Sequence, residues 1–367
     1  MKQKILALLC AVALTFSLAG CVISTPDTVG SLGDYEISSG LYLLAQYDAY
    51  QKAADLASSD QDASNVKAFL KETITVDSDS GETATVRDYV SQQTLENLQN
   101  YAAIELRFDE LGGQLTAEEE QQADSYAQQL MDQYGDTYKA NGIGLETIQH
   151  FERILLKSND LLTLVYGAEG ETPASDADLT DHLQNDMVEL AYYTIPLYNT
   201  STYAFANDDQ KAEMLQLAQN AVEQYNAAAP TDIRSLQVSA FSTAVSAALP
   251  DIYAVLGGTA SSASVQTELL GNSSIDSAFT ESGSADTIRG LAYGQAAAVQ
   301  YSSYAIMIAL RVDPLDGSSL DELRPQILSD LETDALRTSL SDYGAALENH
   351  LSTSAMNKLP MNKIVNQ

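Results

Sequence analysis

The sequence predicts an α+β fold that is mainly α, and three observations carry that prediction. Between Thr85 and Tyr166, apolar residues recur at helical spacing through three long segments divided by glycine-bearing breaks. Two stretches, 188–197 and 299–312, are rich in β-branched and aromatic residues, as strands are. From Ser319 onward the spacing is helical again.

Taken in order, the chain opens with Lys2 and Lys4, then an uncharged apolar run from Ile5 to Leu18, then Leu18-Ala19-Gly20-Cys21. The run is short for a permanent membrane span, and charge, apolar stretch and small residues together read as a signal peptide over 1–20. Leu-Ala-Gly-Cys matches the lipobox of bacterial lipoproteins. There the small residues suit the peptidase, and only a thiol can take the diacylglyceryl thioether. Cys21 is therefore the expected lipidation site and first residue of the mature chain. Cys10 leaves with the leader, so the mature chain has no second thiol for a disulfide. Its core alone must hold it together outside the cell. The expected address is the outer face of the cytoplasmic membrane, reached through the diacylglyceryl anchor.

The net charge of −33 works against binding nucleic acid or anionic lipid head groups. Residues 21–33, small and polar with Pro and Gly, suit a flexible tether. Ser38 can cap a helix running to about Ala57. Residues 58–84 are polar and broken, with a short helix at 66–70. Thr85 to Leu111 aligns Leu95, Leu98, Ala102 and Leu106, and Gly112-Gly113 stops it. Thr116-x-x-Glu119 is a capping box, in which two otherwise orphan backbone donors find partners. The helix it opens places Ala123, Ala127, Leu130, Tyr134 and Tyr138 inward. Leu145 to Tyr166 aligns Ile148, Phe151, Leu155, Leu162 and Tyr166. At ~1.5 Å per residue these helices are roughly 33–40 Å long.

Beyond the soft break 167–173, Ser175-x-x-Asp178 caps a short helix. Val188–Leu197 reads as a strand and 208–228 as a helix. Residues 229–290, rich in Ala, Ser, Thr and Gly, resist assignment beyond short helices near 235–249. Val299–Tyr301 and Tyr304–Val312 read as a hairpin. Ser319-x-x-Glu322 caps a last helix with Leu320, Leu323, Ile327 and Leu331 inward, reaching toward His350. Pro325 in its second turn should bend it or remove one hydrogen bond.

The order of these pieces resembles a family. Gly33-Asp34-Tyr35-Glu36-Ile37-Ser38, Phe108-Asp109-Glu110-Leu111, Leu115-Thr116-Ala117-Glu118-Glu119, Asn141-Gly142-Ile143 and Leu164-Val165-Tyr166-Gly167, on a lipoprotein, look like the PrsA/SurA-type extracytoplasmic foldases. The likeness covers most of 30–200 and, more loosely, 300–350. It implies a helical chaperone lobe made from residues 34–172 and 319–367, with a parvulin-like prolyl isomerase domain inserted at 175–315. Unfolded exported polypeptides would be the partners.

Parvulins ease rotation about an X-Pro bond, whose amide barrier is about 18–20 kcal/mol, in a pocket containing two histidines. Aligned with the family's opening strand, Tyr192 occupies the first histidine position. In the final strand, Ala305 occupies the second. The stretch 188–314 has no histidine and no cysteine, so the resemblance implies a foldase whose isomerisation is weak or lost, with no catalytic residue assigned. His150, His182 and His350 lack second ligands at metal spacing, and no metal or cofactor is expected. The rival reading is a solute-binding lipoprotein that feeds a transporter, which requires two α/β lobes.

Overall fold

The computed structural model describes residues 26–228, 232–260 and 262–366. The leader, Cys21 and the first part of the expected tether lie outside the described residues. The chain forms two compact units. Unit 1 takes residues up to Val165 together with Asp334 onward, and unit 2 is the continuous stretch Tyr166–Thr333. The fold class is α+β and mainly α, with chain from both ends in one helical unit and a mixed unit between.

Unit 1 begins with strand β1 (Thr28–Leu32) antiparallel to β2 (Tyr35–Ser38). Residues 28–32 were expected within the tether. They pair because Gly33, at φ +54°, turns the chain back on itself. Ser38 caps α1 (Ser39–Asp55), its hydroxyl accepting from the Leu41 amide at 3.1 Å. The short α2 (Val66–Phe69) follows. A hairpin of β3 (Thr73–Asp77) and β4 (Glu82–Thr85) then fills the stretch read as merely polar. Its strands bring only Ile74 and, less deeply, Val76 to the core, so the alternation is short.

Three long helices complete most of this unit: α3 (Val86–Glu110), α4 (Ala117–Ala140) and α5 (Leu145–Tyr166). The Thr116/Glu119 capping box forms as expected, with Glu119 accepting from the Thr116 amide at 2.6 Å. Two inner faces are rotated from the expected ones. On α4, Ala123 and Ala127 are buried while Tyr134 is 49 % exposed. On α5 the buried stripe is Ile148, Ile154, Leu161 and Val165, and Leu155 faces out. Both stripes follow the 3.6-residue period, but apolar residues on neighbouring positions made more than one phase available.

The last long helix, α11 (Leu320–Ala346), is capped by Ser319 and Glu322. It stops before His350. At Gly344 a Cβ would meet the Gln99 carbonyl, so glycine lets α11 lie directly on α3. The residues after it form a strap across unit 1. The Gly33, His350 and Ser352 amides donate to the Glu348, Ser31 and Val29 carbonyls at 2.8, 3.0 and 2.7 Å. The Asn141 side chain pins the far end, donating to the Val365 carbonyl (2.9 Å) and accepting from its amide (2.8 Å). Met361 and Ile364 pack on a core of Tyr50, Phe69, Ile74 and Val86.

Unit 2 opens with α6 (Asp176–Asn185), capped by Ser175. Its sheet has the order β6-β5-β8-β7, every neighbour antiparallel, from β5 (Met187–Pro196), β6 (Gln266–Gly271), β7 (Ala296–Ser302) and β8 (Ala305–Val312). Helices α7 (Asp208–Ala227) and α8 (Arg234–Ala254) cover one face, where Met214, Phe241, Val245 and Leu249 meet Ile195, Ile306, Ile308 and Leu310. The second face is narrower. Ile275 of α9 (Asn272–Ala278), Phe279 and Ile288 of α10 (Ser284–Arg289) meet Val188, Leu190, Met307 and Ala309 there. The α8 helix is one 21-residue element where only short helices were expected. The expected insert, 175–315, falls inside unit 2.

Candidate functional site

Strand alternation decides which face Tyr192 and Ala305, the two positions singled out in the sequence, occupy. Tyr192 of β5 stands opposite Ala309 of β8, and Ala305 stands opposite Pro196. An even spacing along β8 puts Tyr192 and Ala305 on the second face of the sheet. They are four rungs apart, roughly 13 Å at ~3.3 Å per residue. The fold therefore does not bring the two positions together. Between them the face carries Thr194 and Met307, which offer one hydroxyl and one thioether.

Tyr192 is itself engaged. Its hydroxyl donates to Glu268 Oε2 on the neighbouring β6 at 2.9 Å. Burial and then the Glu268 carboxylate push the phenol up to about 12, so it stays protonated at neutral pH and can donate but not act as a base. Ala305 is buried and offers a methyl group. This arrangement can pack against an apolar chain. Its two titratable groups, Tyr192 and Glu268, are bonded to each other.

The three histidines are placed separately. His150 Nε2 lies 2.9 Å from the Tyr35 hydroxyl and 3.4 Å from Glu105. His182 pairs with Asp330 at 2.8 Å, and His350 with Glu348 at 3.2 Å. Among the described residues no group of three His, Cys, Asp or Glu could hold a metal ion. No described helix is long and apolar enough to cross a membrane.

The most conspicuous surface in unit 2 was not anticipated. After β5 the chain runs Tyr198-Asn199-Thr200-Ser201-Thr202-Tyr203-Ala204-Phe205 and carries its rings outward, with Tyr203 at 74 % and Phe205 at 65 % exposure. Tyr304, in the β7–β8 turn, joins them at 60 %. The rings form a chain of contacts. Tyr203 stacks on Tyr198 with centroids 6.5 Å apart, Tyr198 meets Phe205 at 5.7 Å, and Phe205 meets Tyr304 at 5.9 Å.

The backbone beneath holds them in place. Asn199 Oδ1 accepts from the Ser201 and Thr202 amides, and its Nδ2 donates to the Leu256 carbonyl at 2.8 Å. The Leu197 amide donates to the Tyr304 carbonyl at 2.7 Å, tying loop to hairpin. Tyr203 sits at φ +57°, the one described non-glycine residue in the left-handed region, a conformation that costs about 1–2 kcal/mol. The loop accepts that cost while leaving the ring in water. The Tyr203 amide donates to the Asn199 carbonyl at 2.7 Å and its ring rests on Tyr198, so the strained turn fixes an exposed ring at the surface. The sequence signal was present in three aromatics within eight polar-spaced residues, but periodicity tests pass over loops.

The foldase PrsA of Lactococcus lactis aligns over 91 % of this chain and 98 % of its own, at 12 % identity and a TM-score of 0.36. The foldase protein PrsA of Streptococcus pneumoniae covers 78 % and 92 %, at 14 % identity and a TM-score of 0.31. PrsA of Bacillus subtilis covers 78 % and 93 %, at 11 % identity and a TM-score of 0.28. The chain is similar to PrsA foldase structures. No protein-family model matches it, and no curated protein sequence does.

Proposed function

We propose that this chain is a membrane-anchored extracytoplasmic chaperone of the foldase type, holding unfolded exported polypeptides with weak or absent prolyl isomerisation. The lipobox at Cys21 supports the anchor and the address. The exposed aromatic array of Tyr198, Tyr203, Phe205 and Tyr304 carries the holding function. Rigid amphipathic rings take up apolar or proline-bearing chain at little entropic cost and still tolerate water when empty. Weak isomerisation is supported by the second sheet face, where one family position is a methyl and the other a phenol already donating to Glu268.

The solute-binding alternative calls for two α/β lobes with repeated strand–helix alternation. Among the described residues the only sheet larger than a hairpin is the four-stranded antiparallel one.

The test uses the mature chain from Cys21 with a denatured, aggregation-prone client. The protein delays light scattering, and the triple change Tyr203→Ser, Phe205→Ser, Tyr304→Ser reduces the delay at least about threefold without moving the thermal midpoint of unit 2. Exchange of a proline tetrapeptide is barely accelerated. An unchanged delay in the triple variant would remove the array from the mechanism. A large rate enhancement abolished by Tyr192→Phe would restore catalysis to the sheet face.

A further inference from the structure

Unit 1 contains a cavity of about 560 Å³ whose chemistry is unlike the rest of the molecule. The volume falls in the ordinary range for small-molecule sites, about 300–1,000 Å³. Leu98 of α3 and Leu359 of the strap supply apolar wall, and Met356 and Met361 line it too. Unbranched thioethers adapt to flexible apolar ligands better than branched side chains do.

Charge singles the cavity out. The chain carries 51 acidic residues against 18 basic ones, yet no Asp or Glu lines this cavity and Arg87 does. Arg107, Arg153, Arg234, Arg289, Arg324 and Arg337 each pair with a carboxylate. Arg311 donates to backbone carbonyls. Among the described arginines, Arg87 alone has no side-chain partner. It also stands in the first turn of α3, where the helix dipole disfavours a cation. Neighbouring Asp88 does not line the cavity, and its carboxylate accepts from the Thr85 hydroxyl at 2.8 Å. An unpaired guanidinium at the positive end of a helix, beside an apolar hollow, is placed for an anion.

A second polar group lies in the same wall. Gln46 is only 2 % exposed, and one of its N–H bonds goes to the Tyr42 hydroxyl at 3.0 Å. Its amide oxygen makes no hydrogen bond among the described residues and is not sealed from solvent, so it is open to a group placed in the cavity.

We propose that the cavity is a binding site for a small amphiphilic carboxylate: a single anionic head held by Arg87 and an unbranched alkyl chain lying along Leu98, Met356 and Leu359. The site is independent of client holding, since it uses no residue of the aromatic array.

The test is titration of the mature chain with dodecanoate below its micellar range, read by calorimetry and by the thermal midpoint of unit 1. Dodecanoate binds and raises that midpoint, octanoate binds more weakly, and dodecyltrimethylammonium does not bind. Arg87→Gln weakens dodecanoate about tenfold or more, as loss of a charge-assisted hydrogen bond does, and leaves dodecanol unaffected. Ser91→Phe, which narrows the mouth from an exposed position on α3, removes both. The folding of each variant is checked by its unliganded midpoint, and client holding is measured alongside and stays intact. Equal binding of the cationic amphiphile, or full carboxylate preference in Arg87→Gln, overturns the proposal. So does binding confined to peptides with a free terminal carboxylate.

Discussion

The two units of this molecule solve the same packing problem with different stretches of chain. Unit 2 is continuous, and its sheet is buried on one face by α7 and α8 and on the other by α9 and α10. Unit 1 is discontinuous and borrows its closure, the strap and the second half of α11, from far along the sequence. Every pairing in the sheet of unit 2, β5 with β6 and β8 included, lies within one stretch of chain, whereas unit 1 must join segments from either side of that stretch. The difference says where each unit is vulnerable.

The largest expected effect tests that contrast directly. Ending the chain at Glu348 removes the strap, its backbone bonds to β1 and the burial of Leu359, Met361 and Ile364. At about 1.5–3 kcal/mol per large apolar side chain, unit 1 loses on the order of 5 kcal/mol and its cooperative transition. The melting of unit 2, followed separately by hydrogen exchange, stays where it was. Loss of both transitions would end the distinction.

Buried charge sharpens the comparison next. In unit 1 the Lys157 ammonium donates to Glu105 Oε2 at 2.6 Å, and the pair is largely shielded from water. In unit 2 the Arg234 guanidinium grips both oxygens of Glu189, with Nη1 to Oε2 at 2.8 Å. Lys157→Met leaves Glu105 only the His150 ring at 3.4 Å and should cost about 3–4 kcal/mol in unit 1 alone. Arg234→Met should do the same to unit 2. Denaturant curves with a probe in each unit check the assignment.

Gly30→Ala should cost about 2 kcal/mol in unit 1. Its φ of +118° is unsuited to a side chain, and a Cβ would collide with the His350 carbonyl. Amide exchange at His350 and Ser352 would speed up first.

The smallest effect has the opposite sign. Burial raises the Asp48 carboxyl to about 6, partly offset by Lys52. Between its ordinary value and 6 the folded chain binds more protons than the unfolded one. Unit 1 therefore loses stability as pH rises through that window and is level above it. Asp48→Asn should remove the decline, raising stability at pH 7 and leaving it unchanged at pH 3. Thermal midpoints at both pH values decide it.

The same contrast governs what the sequence revealed. In unit 1, Ser38, Thr85 and Thr116 announce their helices through side-chain caps, and strong apolar contrast marks each body. The strap escaped notice because backbone bonds and one asparagine, not periodicity, hold it. In unit 2, α8 has no capping side chain at Ile233, and Pro250 lies inside it. Its stripe of Phe241, Val245, Leu249 and Ile252 is diluted by Ala, Ser and Thr on every side. Tyr192 and Ala305 lie on strands, as expected, but sequence alone could not show that the register leaves them four rungs apart.

The pairing of β1 with residues 348–352 also sets an order in time. A nascent chain releases Thr28–Leu32 early, as a strand with an open flank, and its partner, residues 348–352, follows far later along the chain. Residues 166–333 can collapse meanwhile, because every contact they need is already available. Unit 1 must wait, and until the strap arrives its exposed flank is free to pair with the wrong neighbour.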